Sequence, residues 1–265
     1  MLISSYITPH SPILIPAIGK MNNLVLNKTT QSYQKIVDQL LKEKVETIII
    51  ISPHLNSPEK GWLINSAPEF KINFSNFGDF ATKGQIDGDM ILAHEIKESL
   101  KNNFDIQLSS EPGLDYGSAI PLQLLSPALK GVKIISLSQA NSDRQSHFAL
   151  GQALKNIIIS QNKRIAVIAS ADLSHRLKRS SPGGYSSKGA KFDNKLIEYL
   201  NQPESANENI IQMDEKLVKD ALECGLKSIC ILLGVLSDLE YEPKVLSYQT
   251  EIGVGYLTMA MNIIE

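Results

Sequence analysis

The stretch Thr47-Ile48-Ile49-Ile50-Ile51-Ser52 contains four consecutive β-branched apolar residues and has no polar face. A strand of this kind belongs in the middle of a sheet that is covered on both sides. Arg164–Ser170 is predicted as a second doubly buried strand, and Leu2–Ile7 as a buried strand that ends before Pro9. Because segments with helical spacing separate such strands, we predict an α/β fold with a central, largely mixed sheet flanked by helices on both faces.

The remaining elements follow from apolar spacing and from local start and stop signals. Ser142 and Gln145 form a capping-box pattern, which predicts a helix from there to about Ser160. No Pro- or Ser-rich linker divides the chain, so we expect a single domain over residues 1–265. Other helices are predicted at about 29–44, 85–103, 188–200, 214–223 and 226–239, and further strands at about 132–137, 244–251 and 254–261.

Composition narrows the class of protein. The content of 43% hydrophobic and 20% charged residues is that of an ordinary globular chain, and a formal net charge of -2 argues against a basic nucleic-acid-binding surface. No apolar run reaches the length of a membrane span. Cys224 and Cys230 both lie in a helical pattern, so we predict that they are small core residues in a reducing compartment, which favours a cytoplasmic location.

Three of the five histidines follow predicted strands. His10 follows the first strand, His54 follows the isoleucine-rich strand, and His175 follows the Arg164–Ser170 strand. Ligands of open α/β sheets bind where loops leave the carboxyl ends of the strands, so these side chains are expected to converge. His94 and His147 lie within predicted helices, and for them an ordinary structural role is favoured.

A metal ion that is held by two histidines and keeps open positions, such as iron(II), also needs a hard anionic ligand. The predicted C-terminal strand offers Glu251, which stands just before Gly253 and Gly255. The two glycines lack the third glycine and the following helix of a phosphate-binding loop. They are interpreted as marking a strand that another backbone approaches closely.

Several motifs together indicate a known family. They are Pro9-His10-Ser11-Pro12, Ser52-Pro53-His54, Ser170-Ala171-Asp172-Leu173-Ser174-His175-Arg176-Leu177, Pro182-Gly183-Gly184-Tyr185, Cys224-Gly225 and Gly253-Val254-Gly255-Tyr256. In these motifs the chain resembles the catalytic subunits of class III extradiol ring-cleaving dioxygenases, the LigB-like proteins. It is most similar to a branch that is related to Memo proteins and associated with AMMECR1 domains.

The resemblance implies an iron(II) site with two histidines and one carboxylate, although zinc or manganese would bind such donors too. By matching position, His10 and His54 would be metal ligands and His175 the acid/base histidine beside the metal. Glu251 would be the carboxylate, because residues i and i+2 of a strand share a face and the family's glutamate position is Gln249 here. Gln249 is the alternative third position.

The resemblance also implies roles around the pocket. Asp115 and Tyr116 would line the substrate pocket or support the residues that do, with Tyr116 standing where the family usually has a pocket-lining histidine. Asp172 and Ser174 are expected to orient His175. Tyr185 belongs to a loop that is either a lid closing on substrate or a plain connection.

The function implied is the opening of a catechol- or aminophenol-type ring with O2. The alternative is a non-enzymatic, Memo-like protein that binds metal or a partner and keeps the pocket without the reaction. A metal-dependent hydrolase ranks lowest, because the paired Asp-rich motifs of a two-metal site are missing from the sequence. The expected ligands are a small aromatic substrate and O2, and neither nucleic acid nor a membrane is expected as a partner. The possible protein partners are a second copy of the chain, a small subunit or an AMMECR1-type protein.

Overall fold

An eight-stranded sheet lies at the centre of the computed structural model, which describes residues 1–264. Across this sheet the strand order is β6-β3-β7-β2-β8-β1-β10-β9, while β4 and β5 form a separate antiparallel pair. The strands are β1 Leu2–Thr8, β2 Thr47–Ser52, β3 Trp62–Asn65, β4 Glu69–Phe74, β5 Asp79–Asp87, β6 Ile106–Ser109, β7 Lys133–Ser138, β8 Ile165–Ser170, β9 Tyr241–Gln249 and β10 Tyr256–Ile263.

The two strands that the sequence marks as buried on both faces, β2 and β8, lie side by side in the middle of the sheet. Every residue of both is buried. β2 pairs in parallel with β7 and β8, and β1 pairs in parallel with β8 but antiparallel with β10, so the sheet is mixed. The predicted α/β fold is therefore confirmed.

Helices cover both faces of the sheet. Along β2 the side chains alternate, so that Ile49 and Ile51 join one hydrophobic core while Ile48 and Ile50 join the other. Residues of α6 and α10 fill the first core, and residues of α3 and α5 fill the second. The helices are α1 Pro16–Gly19, α2 Met21–Val25, α3 Asn27–Lys42, α4 Met90–Leu100, α5 Tyr116–Leu124, α6 Arg144–Ser160, α7 Ser187–Leu200, α8 Pro203–Ile211, α9 Glu215–Ala221 and α10 Leu226–Leu236.

Several helices and strands were not predicted from the sequence, or were predicted with the wrong ends. β3, β4, β5 and β6 were not predicted, and the helix predicted at 85–103 begins only at Met90 because β5 extends to Asp87. α8 was not predicted, nor was α5, which is buried around most of its circumference and contains Pro121, so it shows no amphipathic period. The N-cap of α6 is Asp143, whose side chain accepts from Ser146 N, and not Ser142.

The strand order places the carboxyl ends of β2, β8 and β1 next to one another at one edge of the sheet. The loops that bear His54, His175 and His10 leave from these ends. Within residues 1–264, no helix combines the length and the apolar content that crossing a membrane requires.

Candidate metal site

His10 and His54 face each other across the ends of β1 and β2. Their Nε2 atoms are 3.1 Å apart, and their ring planes meet at 84°. Burial lowers the pKa of His10 to about 3 and that of His54 to about 4, with the neighbouring histidines adding to the effect. Both imidazoles are therefore neutral near pH 7, which is the form that binds metals.

The hydrogen bonds of Ser170 decide which nitrogen His10 offers. The Ser170 hydroxyl donates to the carbonyl of Gly117 at 2.6 Å, so its oxygen accepts from His10 Nδ1, which is 2.9 Å away. His10 then carries its proton on Nδ1 and leaves the Nε2 lone pair free. This is the arrangement in which metal-binding histidines are commonly held.

Cys224 offers a third possible donor beside these histidines. Its Sγ lies 3.3 Å from His10 Nε2, and the ligand atoms of His10, His54 and Cys224 all lie within 4.8 Å of one another. Cys230 is fully buried in the core, as predicted, but the prediction that Cys224 is also a core residue is wrong. No sequence signal places it there, because its approach to His10 depends on the close packing of Gly225 on Ala171, where a Cβ on Gly225 would lie 2.1 Å from the Ala171 Cβ.

These donors fit one transition-metal ion. Two nitrogens 3.1 Å apart can both lie about 2.1 Å from a shared ion, and a sulfur 3.3 Å from one of them can lie about 2.3 Å from it. Burial raises the pKa of the Cys224 thiol, so an ion must displace its proton in order to bind.

Asp172 lies against the same group. Its Oδ1 accepts from the backbone N of His10 at 2.9 Å, and its Oδ2 lies 3.8 Å from His10 Nε2, which makes it the carboxylate next to the histidine pair. Burial raises the pKa of this carboxyl, and the imidazole of His175 opposes the shift. Asp172 therefore supports the loop of His10 and adds an anionic group beside the donors.

His175 is half-buried and lines the same pocket. Its Nδ1 is buried without a hydrogen-bond partner among the described residues. Ser174, which was expected to orient the ring, uses its hydroxyl to hold the backbone instead: it donates to Ala221 O and accepts from Arg176 N. The position of His175 thus depends on the anchored main chain around it.

The structure does not bring Glu251 or Gln249 to the histidines. β9 ends at Gln249, so Glu251 is no longer in a strand, and its exposed carboxylate accepts from Thr250 N at 2.9 Å. The side-chain oxygen of Gln249 accepts from the N and Oγ1 of Thr29, and its amide nitrogen donates to Val25 O. The expectation that residues two apart would share a face failed because the strand stops between them.

Tyr116 packs directly on His54. Their ring centroids are 4.1 Å apart, and the Tyr116 hydroxyl lies 2.8 Å from His54 Nε2. Asp115 has a different role, because it caps α5 by accepting from Ser118 N and also accepts from the Ser52 hydroxyl. Tyr185 is 59% exposed and is not among the residues that line the pocket, whereas Ser180 and Pro182 of the same loop are.

Together these groups line a cavity of about 480 Å³, which we call the histidine pocket. Its polar floor consists of His10, His54, Asp172, His175 and Cys224, and its apolar walls include Phe77, Tyr116, Ile252, Val254 and Tyr256.

The two remaining histidines lie elsewhere. His94 is exposed on α4. His147 is fully buried, with Nδ1 2.6 Å from Asp143 O and Nε2 accepting from Ala140 N at 3.1 Å, so its ring is used in packing.

Comparisons with known proteins agree with this fold. The chain is 29% identical over 267 residues to Protein CA_C1420 of Clostridium acetobutylicum, a match that covers 97% of this chain but only 56% of that protein, so the chain spans about half of its length. It is 27% identical over 216 residues to 3,4-dihydroxyphenylacetate 2,3-dioxygenase of Escherichia coli, covering 74% of this chain and 68% of that enzyme.

A solved structure is similar throughout. The uncharacterized protein JW3007 from Escherichia coli K12 superposes with a TM-score of 0.72 at 18% identity, covering 98% of this chain and 100% of that one. This likeness concerns the fold. The model of the family described as the catalytic LigB subunit of aromatic ring-opening dioxygenase matches residues 4–259, and the chain therefore belongs to the LigB family.

Proposed function

We propose that the chain binds a transition-metal ion through His10, His54 and Cys224 and opens a catechol- or aminophenol-type ring with O2. The observation that carries this proposal is the pair of neutral imidazoles, with Nε2 atoms 3.1 Å apart, at the floor of a pocket with apolar walls. Membership of the LigB family and the similarity to an E. coli ring-cleaving dioxygenase support it.

Iron(II) is the proposed ion, and zinc or manganese would bind the same nitrogens. When bound, it would supply a Lewis-acidic centre that chelates adjacent ring oxygens and activates O2. The thiol of Cys224 is the third donor in place of Glu251, and Asp172 Oδ2, 3.8 Å from His10 Nε2, contributes negative charge beside it.

His175 is the proposed acid/base group. Its imidazole lines the pocket, and an imidazole nitrogen can accept a proton from a phenolic hydroxyl and later return it. Its Nδ1 has no hydrogen-bond partner among the described residues, so it is available to bond a ligand. Tyr256 donates to the hydroxyl of Ser11 at 3.1 Å, and both line the pocket, so Ser11 can donate its own proton to a bound oxygen.

The test separates metal binding from catalysis. Protein loaded anaerobically with iron(II) is exposed to O2 with a panel of catechols and aminophenols while O2 uptake and bound metal are measured. We expect His10→Ala and Cys224→Ala to lose the metal, and His175→Ala to keep the metal but lose O2 uptake. Metal retained at wild-type level in His10→Ala would contradict the proposed site.

A second candidate is a Memo-like protein that binds metal without cleaving rings. The thiol donor and the position of Glu251 in a solvent-exposed turn favour it, because thiolates select softer ions than the carboxylate of an iron(II) oxygenase does. Stoichiometric metal without O2 uptake on any ring compound would support this candidate over the first. The cytoplasmic location that the two free cysteines favour is part of both proposals.

A further inference from the structure

The lining of the histidine pocket contains no cationic side chain. Among the described residues that line it, none is lysine or arginine, and the only side chain there that is normally anionic is Asp172. The apolar part of the lining includes Ile252, Val254 and Tyr256, with Phe77 packed edge-on against Tyr116. Beyond the proposed metal donors and Asp172, a ligand in this pocket therefore meets only apolar and neutral side chains.

The segment that follows His175 contains cations, but none of them lines the pocket. Lys178 donates from Nζ to the carbonyl of Glu251 at 2.7 Å, and Arg176 donates from Nη1 to the carbonyl of Asp220 at 3.4 Å. Neither side chain contributes to the lining. Arg176 and Lys178 thus stabilise neighbouring backbone, while Arg179 is exposed and is not among the residues that line the pocket.

Burial of an unpaired carboxylate against apolar walls is unfavourable, because the group loses its hydration and gains no partner. An aromatic ring without a charged substituent avoids this penalty and fits the flat apolar walls. Asp172 further disfavours a ligand that carries a carboxylate, since it repels a second negative charge in the same cavity.

From these features we propose that the pocket takes an uncharged aromatic ring with two adjacent hydroxyl groups, or one hydroxyl and one amino group, and discriminates against rings that bear a carboxylate. This inference rests on the proposed function, since it assumes that the ring is bound at the metal. It deepens that proposal by assigning the charge of the substrate.

The experiment uses two ligands that differ by one charge. 3,4-Dihydroxyphenylacetate and its methyl ester have the same catechol head, and their binding to iron(II)-loaded protein is measured by calorimetry without O2. We expect the ester to bind at least about tenfold more tightly than the acid. A tenfold difference in affinity requires only a small part of the free energy that burying the carboxylate of the acid costs. Equal binding, or tighter binding of the acid, would overturn the inference.

A substitution in the pocket lining tests whether charge causes the difference between the acid and the ester. Ile252→Lys adds a cation to the lining, so we expect it to strengthen binding of the acid by about tenfold relative to the ester. Ile252→Met is the matched control, because it adds a flexible chain without charge and should leave the ratio within about twofold of wild type. The same ratio in both variants would contradict the role of charge.

Failure of the proposed function has a different signature. If catechol, the ester and the acid all fail to bind to the iron(II)-loaded wild-type protein, the ring-binding function is excluded and this inference falls with it. If catechol and the ester bind and the acid binds equally well, the function stands and only the substrate charge is wrong.

Discussion

At the scale of single residues, the hydroxyl of Ser170 determines how His10 can act. It donates to Gly117 O and therefore accepts from His10 Nδ1, so the other nitrogen faces His54 and Cys224. No local sequence pattern predicts the contact between His10 and Ser170, because the two residues are 160 positions apart.

We therefore predict that Ser170→Ala weakens metal binding by about 10- to 100-fold, the usual cost of removing a group that orients a metal-binding histidine. Competition with a chromogenic chelator measures the affinity, and thermal unfolding checks the fold. Ser5→Ala is the control, since Ser5 is an equally buried serine on the neighbouring strand β1 whose hydroxyl has no hydrogen-bond partner within residues 1–264. Equal affinities for the two variants would contradict the role of Ser170.

The residues of the candidate site were predictable to different degrees. Pro9-His10 and Pro53-His54 follow strands that the sequence marks clearly, so their convergence could be expected before the fold was known. Cys224 could not be placed in this way, because its approach depends on the packing of Gly225 against Ala171. Glu251 was misplaced because the exact end of β9 depends on pairing with β10.

At the scale of elements, Asp193 of α7 joins the segment after β8 to β9. Its Oδ1 accepts from Ser174 N at 2.9 Å, and its Oδ2 accepts from the Tyr248 hydroxyl at 2.7 Å. It is fully buried, and burial raises the pKa of its carboxyl to about 6, while the two hydrogen bonds act in the opposite direction. Asp193 thus anchors the main chain directly before His175.

This pKa predicts a pH-dependent stability. Because the pKa in the folded state lies above that of the unfolded chain, the stabilisation by the neutral carboxyl is complete below about pH 4 and is lost as the pH rises through about 6. Asp193→Asn resembles the neutral form. We expect its free energy of unfolding, relative to wild type, to increase by about 1–3 kcal/mol between pH 4 and pH 8.

Urea unfolding at both pH values measures this difference. Asp38→Asn, on the exposed face of α3, is the control and should change by less than about 0.5 kcal/mol between the two conditions. A pH-independent difference for Asp193→Asn would contradict the raised pKa of Asp193.

The elements themselves show which patterns are informative. β2 and β8 were predicted because a strand buried on both faces leaves a continuous apolar run. The glycine pair before β10 does mark a close approach, but what lies nearest Gly255 is the Asp193 carboxylate, which a Cβ would meet at 2.1 Å. The side chain of a distant helix, and not a backbone, excludes a larger residue there.

At the scale of the whole molecule, the three proposed metal donors come from positions 10, 54 and 224, which only the complete fold brings together. An ion that binds the folded chain alone stabilises it by about 2.7 kcal/mol at 100 times Kd. For a chain of this size we expect the midpoint of thermal unfolding to rise by about 5–10 °C.

The rise is measured by scanning the metal-free protein with and without excess zinc(II). His10→Ala should abolish most of it, whereas His94→Ala should not, because His94 is exposed on α4 away from the pocket. The same rise in both variants would place the stabilising ion elsewhere.

The expected second copy, small subunit or AMMECR1-type partner stays a prediction.

The sequence by itself determined the class of fold and the position of the histidines in loops after buried strands. These features are visible locally, because a buried strand is a run of apolar residues and Pro-His pairs follow two of them. The tertiary structure decided which further groups join them. Cys224 and Asp172 lie beside the histidine pair, while Glu251 and Gln249 do not. The physical reason is that a metal site is defined by distances of a few ångströms between remote segments, and those distances depend on strand order, strand ends and close packing at single glycines.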